Sequence, residues 1–389
     1  MPSLLSRDSL EIFPLSSRVN KLDIKRDTVD PDNFKIELSE EAERDVEKAA
    51  NELKRAKTLG AARMLTYGAH TIKNGLGLVL ARLVEGGWIT HLTTNGAGVI
   101  HDWEFAFQGL SGENVERYAT EGQFGIWDET GKYINLAIIV GAYEGLGYGA
   151  SVGKLINNDG FTVPDDEELC EAIQEGADKA VTPSTNLPDL DRSPNSSATV
   201  LERAAAAADL LAAKRRFVLP DGKFEVAHPF KTYSVAYRAL KANVPFCCCP
   251  MIGCDIIYAH PANNCAAIGR AAQRDFLQYA YSVSQLENGV YLSVGSAVLS
   301  PMIFEKSLSM SRNLARQRGK SIKNFSIHVV DIAKSSWDWM KNGEPPMDDP
   351  AYYLRYCKTF SRMGGDMTYS SADNRSWLVA LLKKLEKEG

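Results

Sequence analysis

Apolar and polar positions along the chain fall into two alternating textures. Short apolar runs recur at residues 63–67, 88–93, 245–249, 290–294 and 325–330, with a last short candidate at 367–369. Between them lie longer stretches of helical pattern at 76–84, 129–143, 266–286, 302–318 and 374–388. An alanine-rich segment at 200–214 is helical by propensity, and another helix is placed near Ser111. Strand-length runs alternating with helical patterns predict a parallel α/β sheet.

Residues 1–36 are polar and mixed, with Pro14 and Pro31, and read as an extended N-terminal arm. Ser39 followed by Glu40, Glu41 and Glu43 places a helix start there, since acidic side chains favour the positive end of the helix dipole. The remainder, 37–389, reads as a single domain. Three prolines with several Ser, Asn and Asp mark an exposed loop at about 182–198.

Composition narrows the classes. The 389 residues suffice for a large core without staples. A net charge of -5 gives no basic surplus to neutralise phosphates, so nucleic acid is not an expected partner. No apolar run approaches the roughly 20 residues of a membrane span. Residues 1–20 hold no apolar stretch of a secretory leader. Seven cysteines, four of them within 247–254, do not read as a disulfide framework, so the cytoplasm is the expected location. Consecutive strand residues point to opposite faces, so Cys247, Cys248 and Cys249 cannot meet one ion. No metal site is expected.

Three turns follow strands: Thr94-Asn95-Gly96-Ala97 with Gly98, Gly253-Cys254-Asp255, and Gly295-Ser296-Ala297. Small residues beyond the carboxyl ends of parallel strands let a phosphate or ribose approach the backbone. Together they point to a Rossmann-like open parallel sheet with helices on both faces and a nucleotide at its rim. His101-Asp102 after the first turn offers an acid–base pair, or a helix-start pair making caps and surface contacts. Asp255 at a strand end is suited to ribose hydroxyls or a substrate ammonium.

Four segments, in order, resemble deoxyhypusine synthases. Residues 93–98 running to His101-Asp102 are similar to that family's cofactor-contacting turn. Pro250, Gly253, Asp255 and His260 are similar to its Pro-Gly-Asp-His stretch. Residues 291–298 resemble its glycine-ended strand, and Tyr369 to Asp373 its late cofactor segment. The resemblance implies NAD held by Thr94, Asn95, Gly96, Ala97, Asp255, Gly295, Ser296 and Asp373. It further implies an aminobutyl-type transfer from a spermidine-like polyamine, through an imine on a lysine, to an amine or to a lysine of a protein acceptor, as in hypusine formation. A homotetramer is implied as well.

The family's Trp-Gly-Lys motif is missing, and Lys358 in Tyr356-Cys357-Lys358 is its nearest positional match. Lys358, His101, Asp102 and His260 are therefore the candidate catalytic residues. A different NAD-linked or His/Asp acid–base enzyme on the same scaffold, or an inactive regulatory paralogue, are the alternatives that this departure motivates.

Overall fold

The computed structural model describes residues 4–181 and 200–387; the loop expected at 182–198 lies outside the described residues. Six strands build the main sheet: β1 (Arg63–Tyr67), β2 (His91–Asn95), β3 (Phe246–Cys249), β4 (Val290–Val294), β5 (Ser326–Asp331) and β6 (Asp366–Ser371). Every pairing in it is parallel. Across the sheet the order is β3-β2-β1-β4-β5-β6. This is the doubly wound order of the Rossmann fold, two β-α-β halves meeting at β1 and β4. The fold is thus the Rossmann-like α/β architecture that the sequence predicts.

Helices that pack on the main sheet or border its rim include, in chain order, α1 (Glu40–Thr58), α2 (Gly77–Glu85), α3 (Gly96–Gln108), α4 (Asp128–Tyr143), α5 (Tyr148–Asn158), α6 (Val235–Lys241), α7 (Cys265–Ser284), α8 (Leu299–Gln317), α9 (Arg355–Arg362) and α10 (Asn374–Glu386); the longer helices Asp166–Val181 and Val200–Phe217 pack on each other. Strand alternation divides the core into two. Leu65, Tyr67, Val290, Leu292 and Val294 face one side, with α1, α2 and α10. Met64, Tyr291, Ile327 and Val329 face the other, with α7, α8 and α9. Successive strand side chains point to opposite faces, and a parallel sheet covered on both sides buries both sets. No helix among the described residues is long and apolar enough to cross a membrane.

Several boundaries differ from the sequence reading. The second strand is His91–Asn95 rather than 88–93, because Trp88 closes the turn after α2 through its N–H to the Leu83 carbonyl (2.9 Å). Glycines 96 and 98, expected as a turn, open α3 directly. Asn95 caps that helix by accepting from the Gly98 N–H (2.9 Å). Gly98 is required there, since a Cβ would lie 2.2 Å from Thr94 Oγ1. Ser111 sits in a two-residue strand against Leu22, and a helix starts only at Val115.

The outer edge of the sheet, β3, is closed by a buried carboxyl group. Asp275 of α7 accepts from the N–H groups of Cys248 (2.8 Å) and Gly149 (2.9 Å), which fixes the start of α5 against the strand. Capping an open edge with an inward carboxylate prevents further strand pairing.

Candidate functional site

Because all six strands run the same way, their following turns share one rim. In this strand order the chain changes direction between β1 and β4, and ligands of open α/β sheets bind beyond the strand ends at that point. Here the two flanking turns are Gly68-Ala69-His70 and Gly295-Ser296-Ala297. They touch: the Gly68 N–H donates to the Val294 carbonyl (3.1 Å), and a Cβ on Gly68 would lie 2.1 Å from the Gly295 oxygen. Gly295 has φ +56, a conformation that favours glycine.

Beyond Gly295 the chain enters α8, a helix of 19 residues. Ser296 Oγ accepts from the Ser300 N–H (3.2 Å), and Pro301 has no N–H to offer. The N–H groups of Ala297, Val298 and Leu299 make no hydrogen bond among the described residues. They stand at the positive end of the helix dipole, where an anion is favoured. Asn374, at the start of α10, closes the third side. Its Nδ2 lies 3.5 Å from Thr71 Oγ1, and its Oδ1 accepts from Asn74 (2.9 Å).

Asn95, Gly96 and Asp255 come together one strand away. A Cβ on Gly96 would lie 2.3 Å from Asp255 Oδ2. The Asp255 carboxylate accepts from the Met251 N–H (3.3 Å) and the Ala97 N–H, and burial pushes it up to about 6. Asp255 therefore serves as the anion of the α3 N-terminus and occupies the Ala97 donor of that turn. Thr94 is buried and donates to the Tyr67 carbonyl (2.9 Å). Asp373 follows β6, four strands away from β2. Burial works against its charge, but Arg375 and the N–H groups of Arg375 and Ser376 hold it below the usual carboxylate range. It caps α10, and its neighbour Asn374 is the residue that reaches the crevice.

The candidate catalytic residues scatter. Asp102 does not pair with His101. It is buried and accepts from Ser234 Oγ (2.6 Å) and the N–H groups of Val235 (2.8 Å) and Ala236 (3.1 Å), so it caps α6; burial pushes it up to about 6. His260 is buried, accepts from the Ala262 N–H at Nδ1 (3.0 Å) and donates from Nε2 to Asp128 (3.2 Å). Lys358 lies on α9, 2.9 Å from Glu344 and over the Tyr352 ring at 4.0 Å. Glu344 and Tyr352 push its ammonium up. An imine-forming lysine needs the opposite shift.

His101 belongs to a network that sequence reading missed. Its Nδ1 lies 2.7 Å from Ser111 Oγ, which donates to Glu104 Oε2 (2.6 Å). Arg18 of the N-terminal arm grips Glu104 with two bonds of 2.8 Å, and Thr130 donates a further one (3.0 Å). Burial raises the Glu104 carboxyl, but Arg18, with His101 and Ser111, more than offsets it and holds it below its ordinary value. No local motif links residues 86 apart.

A cavity of about 1240 Å³ lies elsewhere, outside the amino half of β3, with Arg203, Arg270, Arg274 and Glu202 in its wall. It is large, but it is removed from the strand ends where the glycine turns converge.

No family model matches the chain, and no curated protein matches it. Among solved structures it is similar to apo ArgZ, an arginine dihydrolase from the ornithine–ammonia cycle in cyanobacteria, at 14% identity and TM-score 0.40, over 89% of this chain and 33% of that one. It is similar to AgrE in its ternary complex with ornithine and NAD+, at 14% identity and TM-score 0.42, over 91% of this chain and 34% of that one. A conserved putative LOR/SDH protein from Methanococcus maripaludis S2 is similar at 15% identity and TM-score 0.41, over 100% of this chain and 76% of that one. The chain spans about a third of the length of the first two. A likeness this distant carries no argument about activity. It does correct the expected kinship: these neighbours are arginine dihydrolase and LOR/SDH-type proteins, not deoxyhypusine synthases. Aminobutyl transfer from spermidine and hypusine formation fall with that kinship.

Proposed function

We propose that this chain is an NAD-linked enzyme that holds the dinucleotide in the crevice between β1 and β4 and acts on a small molecule at the same rim. The observation that carries this reading is the meeting of Gly68 and Gly295 at the point where the strand order reverses. Gly68 lets the two turns close on each other, and Gly295 leaves space in front of Asn374 and Thr71, whose polar atoms would lie 3.9 and 4.0 Å from a Cβ there. The unpaired N–H groups of Ala297, Val298 and Leu299 offer a pyrophosphate the hydrogen bonds it needs. Asn374 and Asn74 add neutral polar groups beside it. The chain departs from the common dinucleotide fingerprint: neither rim turn has the G-x-G-x-x-G spacing, and β2 ends in Asn95, whose side chain is spent capping α3, where that fingerprint has an acidic residue.

Calorimetric titration of the full chain with NAD+ tests this reading, with Val298→Asp as the informative variant. Val298 is exposed and is the N-cap of α8, where Asp is a favourable residue. Its carboxylate would occupy the same donors and repel a phosphate. The expected result is saturable NAD+ binding by the native chain, weakened at least about ten-fold in the variant, which is roughly 1.4 kcal/mol, with an unchanged melting temperature. Absence of binding to the native chain, or equal binding by both, contradicts the proposal.

A further inference from the structure

We propose that His101 is a proton acceptor on α3, beside the short helix Ala69–Lys73 that begins after Gly68. It presents the lone pair of Nε2 to a hydroxyl or amine proton of a small anion-bearing substrate, and Ser111, Glu104 and Arg18 position it. The inference rests on the preceding reading for what the proton transfer serves.

The argument starts from hydrogen counting. Every contact made to Glu104 comes from a donor: two from the Arg18 guanidinium, one from Thr130 and one from Ser111. Ser111 has a single hydroxyl hydrogen, and Glu104 takes it. The Ser111 oxygen that faces His101 Nδ1 at 2.7 Å can then only accept. Nδ1 therefore carries the ring hydrogen, and Nε2 holds a lone pair. This second nitrogen makes no hydrogen bond within the chain, and it is not among the sealed, unpaired side-chain atoms, so solvent reaches it. A buried carboxylate that fixes the tautomer of a histidine through its far nitrogen is the arrangement that keeps an imidazole oriented for proton transfer.

The surroundings set the charge. Burial lowers His101 to about 4, Glu104 on its own helix opposes this, and Lys73, Arg18 and His70 add to it. The ring is thus neutral near pH 7 and able to accept. When it does, the substrate X–H bond breaks, its electron pair stays on X, and an Nε2–H bond forms. The resulting imidazolium keeps its Nδ1–H on Ser111, with Glu104 compensating its charge. Lys73 and His70 sit on the short helix Ala69–Lys73, which begins at the switch-point glycine and packs against α3. The Lys73 ammonium has no ion pair among the described residues, so this approach favours an anion.

Diethyl pyrocarbonate, which acylates neutral and accessible imidazole nitrogens, tests the assignment on the full chain, read by peptide mass spectrometry at pH 6 and pH 8. The expected result is modification of His101 at nearly equal rates. No modification, or the roughly four-fold rise of an imidazole titrating near its ordinary 6.5, overturns it. Two-bond proton–nitrogen correlation spectra supply the positioning readout. Native His101 is expected as the Nδ1–H tautomer, and Ser111→Ala as a mixture of tautomers with the fold retained. A native Nε2–H tautomer, or a variant indistinguishable from native, overturns the relay. Neither measurement requires a dinucleotide, and Val298→Asp is expected to leave both unchanged, so this inference and the cofactor reading fail separately.

Discussion

Gly68 approaches Gly295 so closely that a methyl group on its α-carbon would stand 2.1 Å from the Gly295 carbonyl oxygen. The neighbour is backbone, held by the Gly295 N–H on the Val330 carbonyl (2.9 Å), so it cannot swing aside. Gly68→Ala is therefore expected to destabilise the chain by about 1–3 kcal/mol, the usual cost of overpacking, and to abolish NAD+ binding. Urea unfolding and calorimetry check the two effects.

The same reasoning couples Gly96 to Asp255. Gly96→Ala drives a methyl group into the Asp255 carboxylate and is expected to cost about 1–3 kcal/mol. Asp255→Ala removes the obstacle but leaves the Met251 and Ala97 N–H groups without their acceptor. Residues in direct contact are not additive. The double variant should be more stable than the sum of the single losses implies. A strictly additive double-mutant cycle would show that the two do not compete for one space.

Arg18 and Glu104 form a buried bidentate pair across 86 residues. Removing one partner strands a buried charge, so Arg18→Met is expected to cost roughly 3–5 kcal/mol. Replacing both, as Arg18→Met with Glu104→Leu, should recover a large part of that loss while destroying the His101 relay. Denaturant midpoints of the three chains check this. Equal stability of the single and double variants would argue against a desolvated pair.

These cases show what was legible in the sequence. The α/β rhythm was readable because strand-length runs are local signals; of the three expected turns only Gly295-Ser296-Ala297 flanks the crevice, and its partner Gly68 was not among them. Strands β1 and β4 were placed to the residue, at Arg63–Tyr67 and Val290–Val294. Helix α3 was missed because Gly96 and Gly98 are poor helix formers; they are there for Asp255 and Thr94, contacts that local propensity does not encode. Adjacency offers His101 and Asp102 either as an acid–base pair or as a pair making caps, and Asp102 does cap a helix. On a helix, neighbours in sequence diverge by about 100°, so Asp102 turns to α6 while His101 turns to Ser111. The true partners, Glu104 and Arg18, are joined only by the fold.

Asp275 gives the chain a pH dependence of defined sign. Burial pushes its carboxyl up to about 7, against the N–H groups that favour the charged form. An acid raised above its unfolded value of about 3.9 binds its proton more tightly when folded. Its contribution is full below that value and is lost as pH rises through about 7. The stability of the native chain relative to Asp275→Asn should therefore be greater at pH 5 than at pH 7.5. Urea midpoints at the two pH values test it, and a difference independent of pH contradicts it.

The most direct test of the account is a crystal structure of the chain with NAD+. The expected density runs along the carboxyl rim, with the pyrophosphate within hydrogen-bonding distance of the N–H groups of Ala297, Val298 and Leu299 and the chain of the dinucleotide crossing Gly68 and Gly295. Density in the cavity beside β3 instead, against Arg203, Arg270 and Arg274, would contradict it, as would an empty rim at saturating NAD+.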